Sequence, residues 1–288
     1  MSEICKNWTQ WLKQNRFAGQ TPEMIEQTTR WLEAVRDVIL LYAEIQPYDT
    51  VLDIGCGTGL LAFKALEMQE CKGLVIFSDM FQDCLDDCKK ILDESGITEG
   101  YEMLKCPVEH IALPESSVHK AIMRSVLVHV SNKQPAISEI YRVLKPGGKF
   151  CAFEPVIRSN TRYWQILDPM YIDKYEDFKR AENAIMENPL DSLCNFDENT
   201  LRMNLEIAGF SVPDVKVQEV NSSYVVQPNM VKEWFINPPS PNQPSTKERF
   251  LKYFDPPVVE KFMQDVQNYL TGRTISLKTN AVFINATK

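Results

Sequence analysis

An acid and three glycines follow one another closely between Val51 and Gly59, where the sequence is Val-Leu-Asp-Ile-Gly-Cys-Gly-Thr-Gly. Glycines between a strand and a helix let the backbone turn sharply and let a ligand approach the helix N-terminus closely. A second acid, Asp79, follows about 20 residues after the last glycine, a position from which a carboxylate can bind both hydroxyls of a ribose. The pattern predicts a site for a ligand that contains a nucleoside.

The spacing of the glycines and the acid Asp53 distinguish between two nucleoside ligands. Dinucleotide sites have the spacing G-x-G-x-x-G, whereas this loop has G-x-G-x-G with Asp53 two residues before its first glycine. A carboxylate about 4 Å from a pyrophosphate is repelled by roughly 1–4 kcal/mol, depending on the effective dielectric constant. S-adenosylmethionine carries an ammonium and a sulfonium, so that Asp53 favours it over a nicotinamide dinucleotide.

Short apolar segments around this loop alternate with segments that have helical periodicity. The predicted strands are 51–54, 74–77, 101–104, 121–127, 149–153, 215–220 and 275–286. Helices are predicted at 3–46, 60–68, 81–92, 135–144, 158–193 and 198–208, with two more between 222 and 272. This order predicts an α/β fold with a doubly wound, mostly parallel, seven-stranded Rossmann-like sheet and helical lid insertions after the fifth and sixth strands.

The 288 residues are predicted to form a single domain with four parts. An N-terminal helical segment occupies 1–46, and a cofactor-binding core occupies 47–155. A helical lid insertion follows at 156–196. Residues 197–288 are expected to complete the sheet and to contain a second insertion at 222–272.

Composition narrows the possible partners. The chain has 39 acidic and 31 basic residues and a net charge of −8, which disfavours a nucleic-acid substrate. No apolar run is long enough to span a membrane, and the eight cysteines contain no C-x-x-C pair. We therefore expect a cytoplasmic protein with free thiols, no metal site and a small-molecule substrate; the sequence leaves monomer and homodimer open.

Residues 48–155 resemble the class I S-adenosylmethionine-dependent methyltransferases, most closely the ubiquinone and menaquinone C-methyltransferases and related natural-product enzymes. The matching motifs are the glycine loop Val51 to Gly59, the second-strand motif Ile76 to Met80, the fourth-strand end Val126 to Val130 and the turn Leu144 to Gly148. The resemblance implies S-adenosylmethionine as the cofactor. It also implies cofactor-binding roles for Asp53, Gly55, Cys56, Gly57, Thr58, Gly59, Asp79, Met80, Val108, Glu109 and Ser125.

The third strand departs from the pattern of this family. The family's strand usually ends in Gly-Asp-Ala, and the acid binds the amino group of adenine. The corresponding residues here are Cys106, Pro107 and Val108, and Pro107 offers neither a carboxylate nor a backbone N–H. We therefore expect adenine to be held by backbone groups near Val108, by Glu109 or by packing against Met80.

Methyl transfer needs few catalytic side chains, because holding the acceptor in line with the carbon–sulfur bond is worth about 7–11 kcal/mol. A base is required only where the acceptor must lose a proton. His129 lies just beyond the predicted fourth strand and is the candidate base. Arg124, a charged residue inside that strand, is predicted either to bind an anion of the cofactor or substrate, or to pair with Glu154 or Asp53.

The sequence predicts methyl transfer to a small, largely apolar or aromatic molecule, since aromatic residues are frequent in both insertions and in the N-terminal segment. Three alternatives remain open. The first is a protein or peptide methyltransferase with a peptide groove under the lid. The chain can also be read as a cofactor-binding regulatory subunit without catalysis, or as a nicotinamide-dependent dehydrogenase.

Overall fold

A seven-stranded sheet forms the centre of the computed structural model, which describes residues 7–288. The strands are β1 (Thr50–Ile54), β2 (Leu74–Asp79), β3 (Tyr101–Lys105), β4 (Val118–Arg124), β5 (Leu144–Pro155), β6 (Ser211–Val225) and β7 (Thr274–Thr287). Their order is β3-β2-β1-β4-β5-β7-β6. All pairs are parallel except those of β7, which runs antiparallel to β5 and β6. The predicted α/β class and mostly parallel sheet are confirmed.

Helices cover both faces of the sheet and bury one hydrophobic core on each. The helices are α1 (Asn7–Lys13), α2 (Pro22–Ala43), α3 (Ala62–Gln69), α4 (Gln82–Glu94), α5 (Lys133–Val143), α6 (Tyr163–Ile166), α7 (Tyr175–Met186), α8 (Glu198–Ala208), α9 (Met230–Ile236), α10 (Thr246–Phe250) and α11 (Pro256–Leu270). Helices α2, α3 and α4 pack on one face, and α5 and α8 pack on the other. Because both faces are covered, the central strands are almost entirely apolar.

A third hydrophobic core lies in the two helical insertions. Helices α7, α9, α10 and α11 pack around Phe178, whose ring stacks on that of Phe262 at 3.6 Å between centroids. The insertions differ in detail from the prediction. Residues 158–193 form two separate helices rather than a continuous one, and residues 222–272 contain three helices rather than two.

Strand β6 runs to Val225, beyond its predicted end at 220, because it pairs with β7 along its whole length. The two strands form a long antiparallel hairpin, and the chain between them, residues 226–273, contains all of α9, α10 and α11. The second insertion therefore begins at the far end of a two-stranded arm rather than at the body of the sheet.

The N-terminal segment is not the continuous helix that its periodicity predicts. Helix α1 ends at Lys13, and α2 begins at Pro22 after a 3-10 turn at Asn15–Phe17. Gly19 adopts φ +77°, and the side chain of Thr21 caps α2 by accepting a hydrogen bond from the N–H of Met24. A left-handed glycine and an N-cap followed by proline are both signals that separate helices.

Strand β4 ends at Arg124, earlier than the predicted end at Leu127. Ser125 has φ +56°, which takes the chain out of the extended conformation, and Leu127–His129 form a 3-10 turn. Strands β1 and β4 are neighbours whose connections lead to opposite sides of the sheet. Their carboxyl ends therefore diverge, and such a point is where open α/β sheets bind ligands.

Within residues 7–288, none of the helices combines the length and the apolar character that crossing a bilayer requires.

Candidate active site

A cavity of about 710 Å³ opens at the carboxyl ends of β1 and β4. Its size is typical of sites that enclose a small molecule or a cofactor. Twelve of the thirteen residues predicted for the site line this cavity: Asp53, Gly55, Cys56, Gly57, Thr58, Asp79, Met80, Val108, Glu109, Arg124, Ser125 and His129. The sheet thus brings together side chains from four loops that are distant in the sequence.

Asp53 lies at the end of β1, under the glycine loop. Its Oδ2 accepts a hydrogen bond from the N–H of Ala62, the first residue of α3, at 3.0 Å. The side chain is buried, and burial raises its pKa to about 7; the charge of Asp79 acts in the same direction. A cationic ligand group beside Asp53 would favour the ionised carboxylate, because opposite charges lower the pKa of an acid.

Asp79 lies at the end of β2 and faces the same loop. Its Oδ2 accepts from the N–H of Gly57 at 3.0 Å, and its Oδ1 accepts from the N–H of Phe81 at 2.9 Å. Burial raises the pKa of this carboxyl as well. Because each carboxylate oxygen can accept two hydrogen bonds, Asp79 retains acceptor capacity toward the cavity after both backbone donors are bound.

Cys106, Pro107, Val108 and Glu109 form the side of the cavity that follows β3. Val108 is buried, while Met80, which also lines the cavity, is 53 % exposed. The N–H of Cys106 already donates to the carbonyl of Asp79 at 3.1 Å. Met80 and Val108 therefore give the cavity apolar surface, and Glu109 adds a carboxylate.

Gly59 does not line the cavity, in contrast to the other residues of the glycine loop. It has φ +80°, and a Cβ at this position would lie 2.3 Å from the ring of Phe63 and 3.2 Å from the Sγ of Cys88. The third glycine therefore allows α3 and α4 to pack closely under the loop. A role of Gly59 in cofactor contact stays a prediction.

We expect Gly59→Ala to lower the free energy of unfolding by about 2–3 kcal/mol, measured by urea denaturation, because it adds left-handed backbone strain to a clash with Phe63. Gly147→Ala is the matched control, since Gly147 has φ +75° and open space around its Cβ position. The control should cost only about 1 kcal/mol. Equal losses in the two variants would contradict the packing role.

Arg124 stands on the opposite wall and does not pair with Glu154 or Asp53. Among the described residues, its only side-chain hydrogen bond is a long one of 3.4 Å to the Oγ of Ser125. Burial lowers the pKa of Arg124 to about 10, and the positive charge of Arg16 adds to this effect. The predicted structural pair is therefore wrong, and Arg124 presents a cation to the cavity.

Glu154 binds backbone groups instead of Arg124. Its Oε1 accepts from the N–H groups of Val126 at 2.8 Å and Leu127 at 3.0 Å, and its Oε2 accepts from that of Val128 at 3.0 Å. The side chain is fully buried, and burial raises its pKa to about 7, although the three N–H donors act to lower the pKa. Glu154 therefore holds the turn that carries His129.

His129 closes this turn and faces Trp8, with ring centroids 5.3 Å apart in an edge-to-face arrangement. Burial lowers the pKa of His129 to about 4, and the charges of Lys133 and Arg124 act in the same direction. The imidazole is therefore neutral near pH 7. Its Nδ1 is buried and has no hydrogen-bond partner within residues 7–288.

The remaining walls come from two segments that lie far apart in the sequence. Trp8, Trp11, Leu12 and Arg16 come from α1 and the turn after it, and residues 239–243 contribute Pro239, Ser240, Asn242 and Gln243. The indole N–H of Trp11 donates to the carbonyl of Pro238 at 3.0 Å and joins the two segments. Together they form a roof, the name used below for residues 8–16 and 238–243.

The aromatic residues of the insertions do not reach the cavity. Tyr163, Phe178, Trp234 and Phe235 pack within the third core instead. The expectation that they cover a substrate is therefore wrong, whereas Trp8 and Trp11 do line the cavity. Arg16 was missed in the sequence, because nothing in its local pattern separates it from an ordinary surface arginine.

No group of three or more metal-ligating side chains occurs in the described part of the chain. Seven cysteines are free thiols, and six of them are buried. The remaining one, Cys5, lies outside the described residues.

Comparison with known proteins adds to this geometry. A family model described as a methyltransferase domain matches residues 45–199, which is more than half of the chain. The ubiquinone/menaquinone biosynthesis C-methyltransferase UbiE of Francisella tularensis subsp. novicida is 27% identical over 188 residues, which cover 62% of this chain and 72% of that protein. UbiE of Xanthomonas oryzae pv. oryzae is 32% identical over 107 residues, 37% of this chain and 42% of that protein.

Solved structures share the fold at lower sequence identity. The YcgJ protein of Bacillus subtilis superimposes with a TM-score of 0.56 at 18% identity, covering 88% of this chain and 98% of that one. Phosphoethanolamine N-methyltransferase 2 of Haemonchus contortus was solved with phosphomonomethylethanolamine and S-adenosylhomocysteine. It superimposes with a TM-score of 0.52 at 17% identity, and the match covers 90% of this chain and 52% of that one. The chain belongs to the methyltransferase domain family, as its sequence predicts, and S-adenosylmethionine is the cofactor of that family.

Proposed function

We propose that this protein binds S-adenosylmethionine in the cavity and transfers its methyl group to a small molecule with apolar or aromatic parts. The observation that carries this proposal is the pair of buried acids, Asp53 and Asp79, placed on either side of a glycine turn that leaves backbone accessible to the ligand. Carboxylates in this arrangement suit a cationic adenosyl ligand and repel an anionic dinucleotide.

The residues present fit this cofactor. Asp79 has acceptor capacity left for the two ribose hydroxyls, and Asp53 provides negative charge for the ammonium. Met80 and Val108 offer apolar surfaces to adenine, where Pro107 offers no polar group. Adenine affinity would then come from packing more than from hydrogen bonding.

The bound cofactor supplies a methyl group on a sulfonium, which is already an activated leaving group. The protein's part is to orient the acceptor and to exclude water. Trp8 and Trp11 line the cavity from the roof, and the hydrogen bond from Trp11 to the carbonyl of Pro238 joins the two segments of the roof. His129 offers a neutral imidazole that can accept a hydrogen bond or a proton from the acceptor.

A small-molecule acceptor is favoured by the relatives. The UbiE proteins are named for C-methylation in quinone biosynthesis, and the Haemonchus enzyme was solved with phosphomonomethylethanolamine. The cavity also supports this choice, because its volume of about 710 Å³ is typical of sites that hold a small molecule and a cofactor. The free thiols described above suit a cytoplasmic location.

Binding and turnover together test the proposal. In calorimetry we expect S-adenosylmethionine to bind at least about tenfold more tightly than NAD. The control is Asp53→Asn, which keeps an oxygen acceptor for Ala62 but removes the charge, so that the preference should shrink. Transfer of labelled methyl to a pool of small phenols and quinols, with and without carboxylate or phosphate groups, but not to a protein pool, is the expected activity. Tight binding of NAD without binding of S-adenosylmethionine would overturn the proposal, and cofactor binding without any transfer would favour a regulatory subunit.

A further inference from the structure

We propose that the methyl acceptor carries an anionic group, a carboxylate or a phosphate, which binds to one of two arginines in the cavity, Arg16 or Arg124. This inference rests on the proposed function and specifies its substrate. It begins from two cations in the walls of the cavity that have no ion-pair partner among the described residues.

Two guanidinium groups face the cavity without acidic partners. Arg124 comes from the end of β4, and Arg16 comes from the turn after α1. Within residues 7–288, no carboxylate forms an ion pair with either of them, and Arg124 interacts with Glu154 and Asp53 only through space. Both side chains are partly buried, and each feels the cost of desolvation. A buried cation without a partner is unfavourable, and a ligand anion would compensate it.

The acids near the arginines are already engaged elsewhere. Glu154 binds three backbone N–H groups, and Asp79 binds two. Asp53 binds the N–H of Ala62 and faces the position proposed for the cofactor's ammonium. Glu109 also lines the cavity, and among the described residues no carboxylate, Glu109 included, forms an ion pair with Arg16 or Arg124. Apart from the long contact of Arg124 with Ser125 and the position of Arg16 over the ring of Phe17, both guanidinium groups are available to an anion from outside the protein.

The cofactor brings only one anion. Its amino-acid part has one carboxylate, which one arginine can bind through a bidentate pair of hydrogen bonds. The second arginine then remains available, in the same cavity as the methyl donor. An acceptor with its own carboxylate or phosphate would form hydrogen bonds with the guanidinium group of this second arginine, and these bonds would fix the orientation of the acceptor.

The other walls describe the rest of such an acceptor. Trp8 and Trp11 supply aromatic surface, while Ser240, Asn242 and Gln243 supply polar groups from the roof. The imidazole of His129 lines the same cavity and packs edge-to-face with Trp8. The walls suit a small molecule that has an aromatic or apolar body, an acidic end and a group that can donate a hydrogen bond.

Matched probes can test this without knowledge of the natural acceptor. Benzoate and phenyl phosphate are titrated into protein saturated with S-adenosylhomocysteine, with benzamide and benzyl alcohol as neutral controls of similar size. We expect at least one acid to bind about tenfold more tightly than its neutral control, with the difference decreasing as salt rises. Equal affinities of acids and neutral controls would overturn the inference.

The variants Arg16→Met and Arg124→Met show which arginine binds the anion of the acceptor and which binds the carboxylate of the cofactor. One variant should lose affinity for the acidic probe while keeping that for S-adenosylhomocysteine. The ligand 5′-methylthioadenosine lacks the amino-acid part of the cofactor and serves as a control. If both variants lost affinity for S-adenosylhomocysteine but bound 5′-methylthioadenosine unchanged, both arginines would hold the cofactor's carboxylate. That result would also overturn the inference. Arg16→Lys and Arg124→Lys serve as folded alternatives that keep the charge. If wild-type protein failed to bind S-adenosylhomocysteine at all, the proposed function itself would fail.

Discussion

Asp79→Ala should lower the affinity for S-adenosylhomocysteine about 100-fold, or about 2.7 kcal/mol. The substitution removes the acceptors proposed for two ribose hydroxyls, and charge-assisted hydrogen bonds of this kind are stronger than neutral ones. It also frees the N–H groups of Gly57 and Phe81, so that the glycine turn keeps the bond from the N–H of Cys56 to the carbonyl of Ser78 but loses its bond to the side chain at the end of β2. Isothermal titration calorimetry measures the affinity.

Asp86→Ala is the control for Asp79→Ala, because Asp86 is an exposed acid on the neighbouring helix α4 and lies outside the cavity. Both variants change the net charge equally. Only the first should alter binding, while thermal unfolding checks that it is folded. A similar dissociation constant for wild type and Asp79→Ala would exclude Asp79 as the ribose ligand.

Glu154→Ala should lower the free energy of unfolding by about 4 kcal/mol. Three backbone N–H groups in the turn after β4 would lose their acceptor, and two of them lie in fully buried contacts. The turn that carries His129 would then lose its anchor, so that binding of S-adenosylhomocysteine should weaken as well. Urea denaturation and calorimetry measure the two effects.

Glu182→Ala provides a comparison at a second buried glutamate. Glu182 accepts from the N–H groups of Tyr163 at 2.8 Å and Trp164 at 3.3 Å, within the insertions and away from the cavity. Its loss should destabilise the protein less, by about 2 kcal/mol, and should leave cofactor binding unchanged. Glu154→Gln, which keeps one acceptor oxygen, should fall between wild type and Glu154→Ala. A neutral effect of Glu154→Ala on both measurements would contradict the anchoring role.

The cofactor side of the cavity was predictable from the sequence because it depends on local rules. A strand, a glycine turn and a helix fix the position of Asp53, and a parallel neighbouring strand then places Asp79 beside it. The register between β1 and β2 pairs Asp53 with Phe77, so both acids reach the same edge of the sheet. No knowledge of the insertions is needed for this step.

The roof was not predictable, because it depends on contacts between distant segments. Trp11 and Pro238 are separated by 227 positions, and no periodicity links them. The role of Glu154 was misjudged for a different reason. Charge alone suggests a partner such as Arg124, whereas the donors that Glu154 binds are backbone N–H groups, which every sequence contains and no pattern reveals.

The hairpin of β6 and β7 gives the protein a modular construction. Residues 239–243, which line the cavity, belong to the segment that these two strands carry and that Trp11 also joins to α1 through Pro238, while the glycine turn and both acids belong to the opposite half of the sheet. Exchange of this segment would change one wall of the cavity and would leave the glycine turn and both acids in place. Selectivity and donor chemistry can therefore evolve at different rates within one chain.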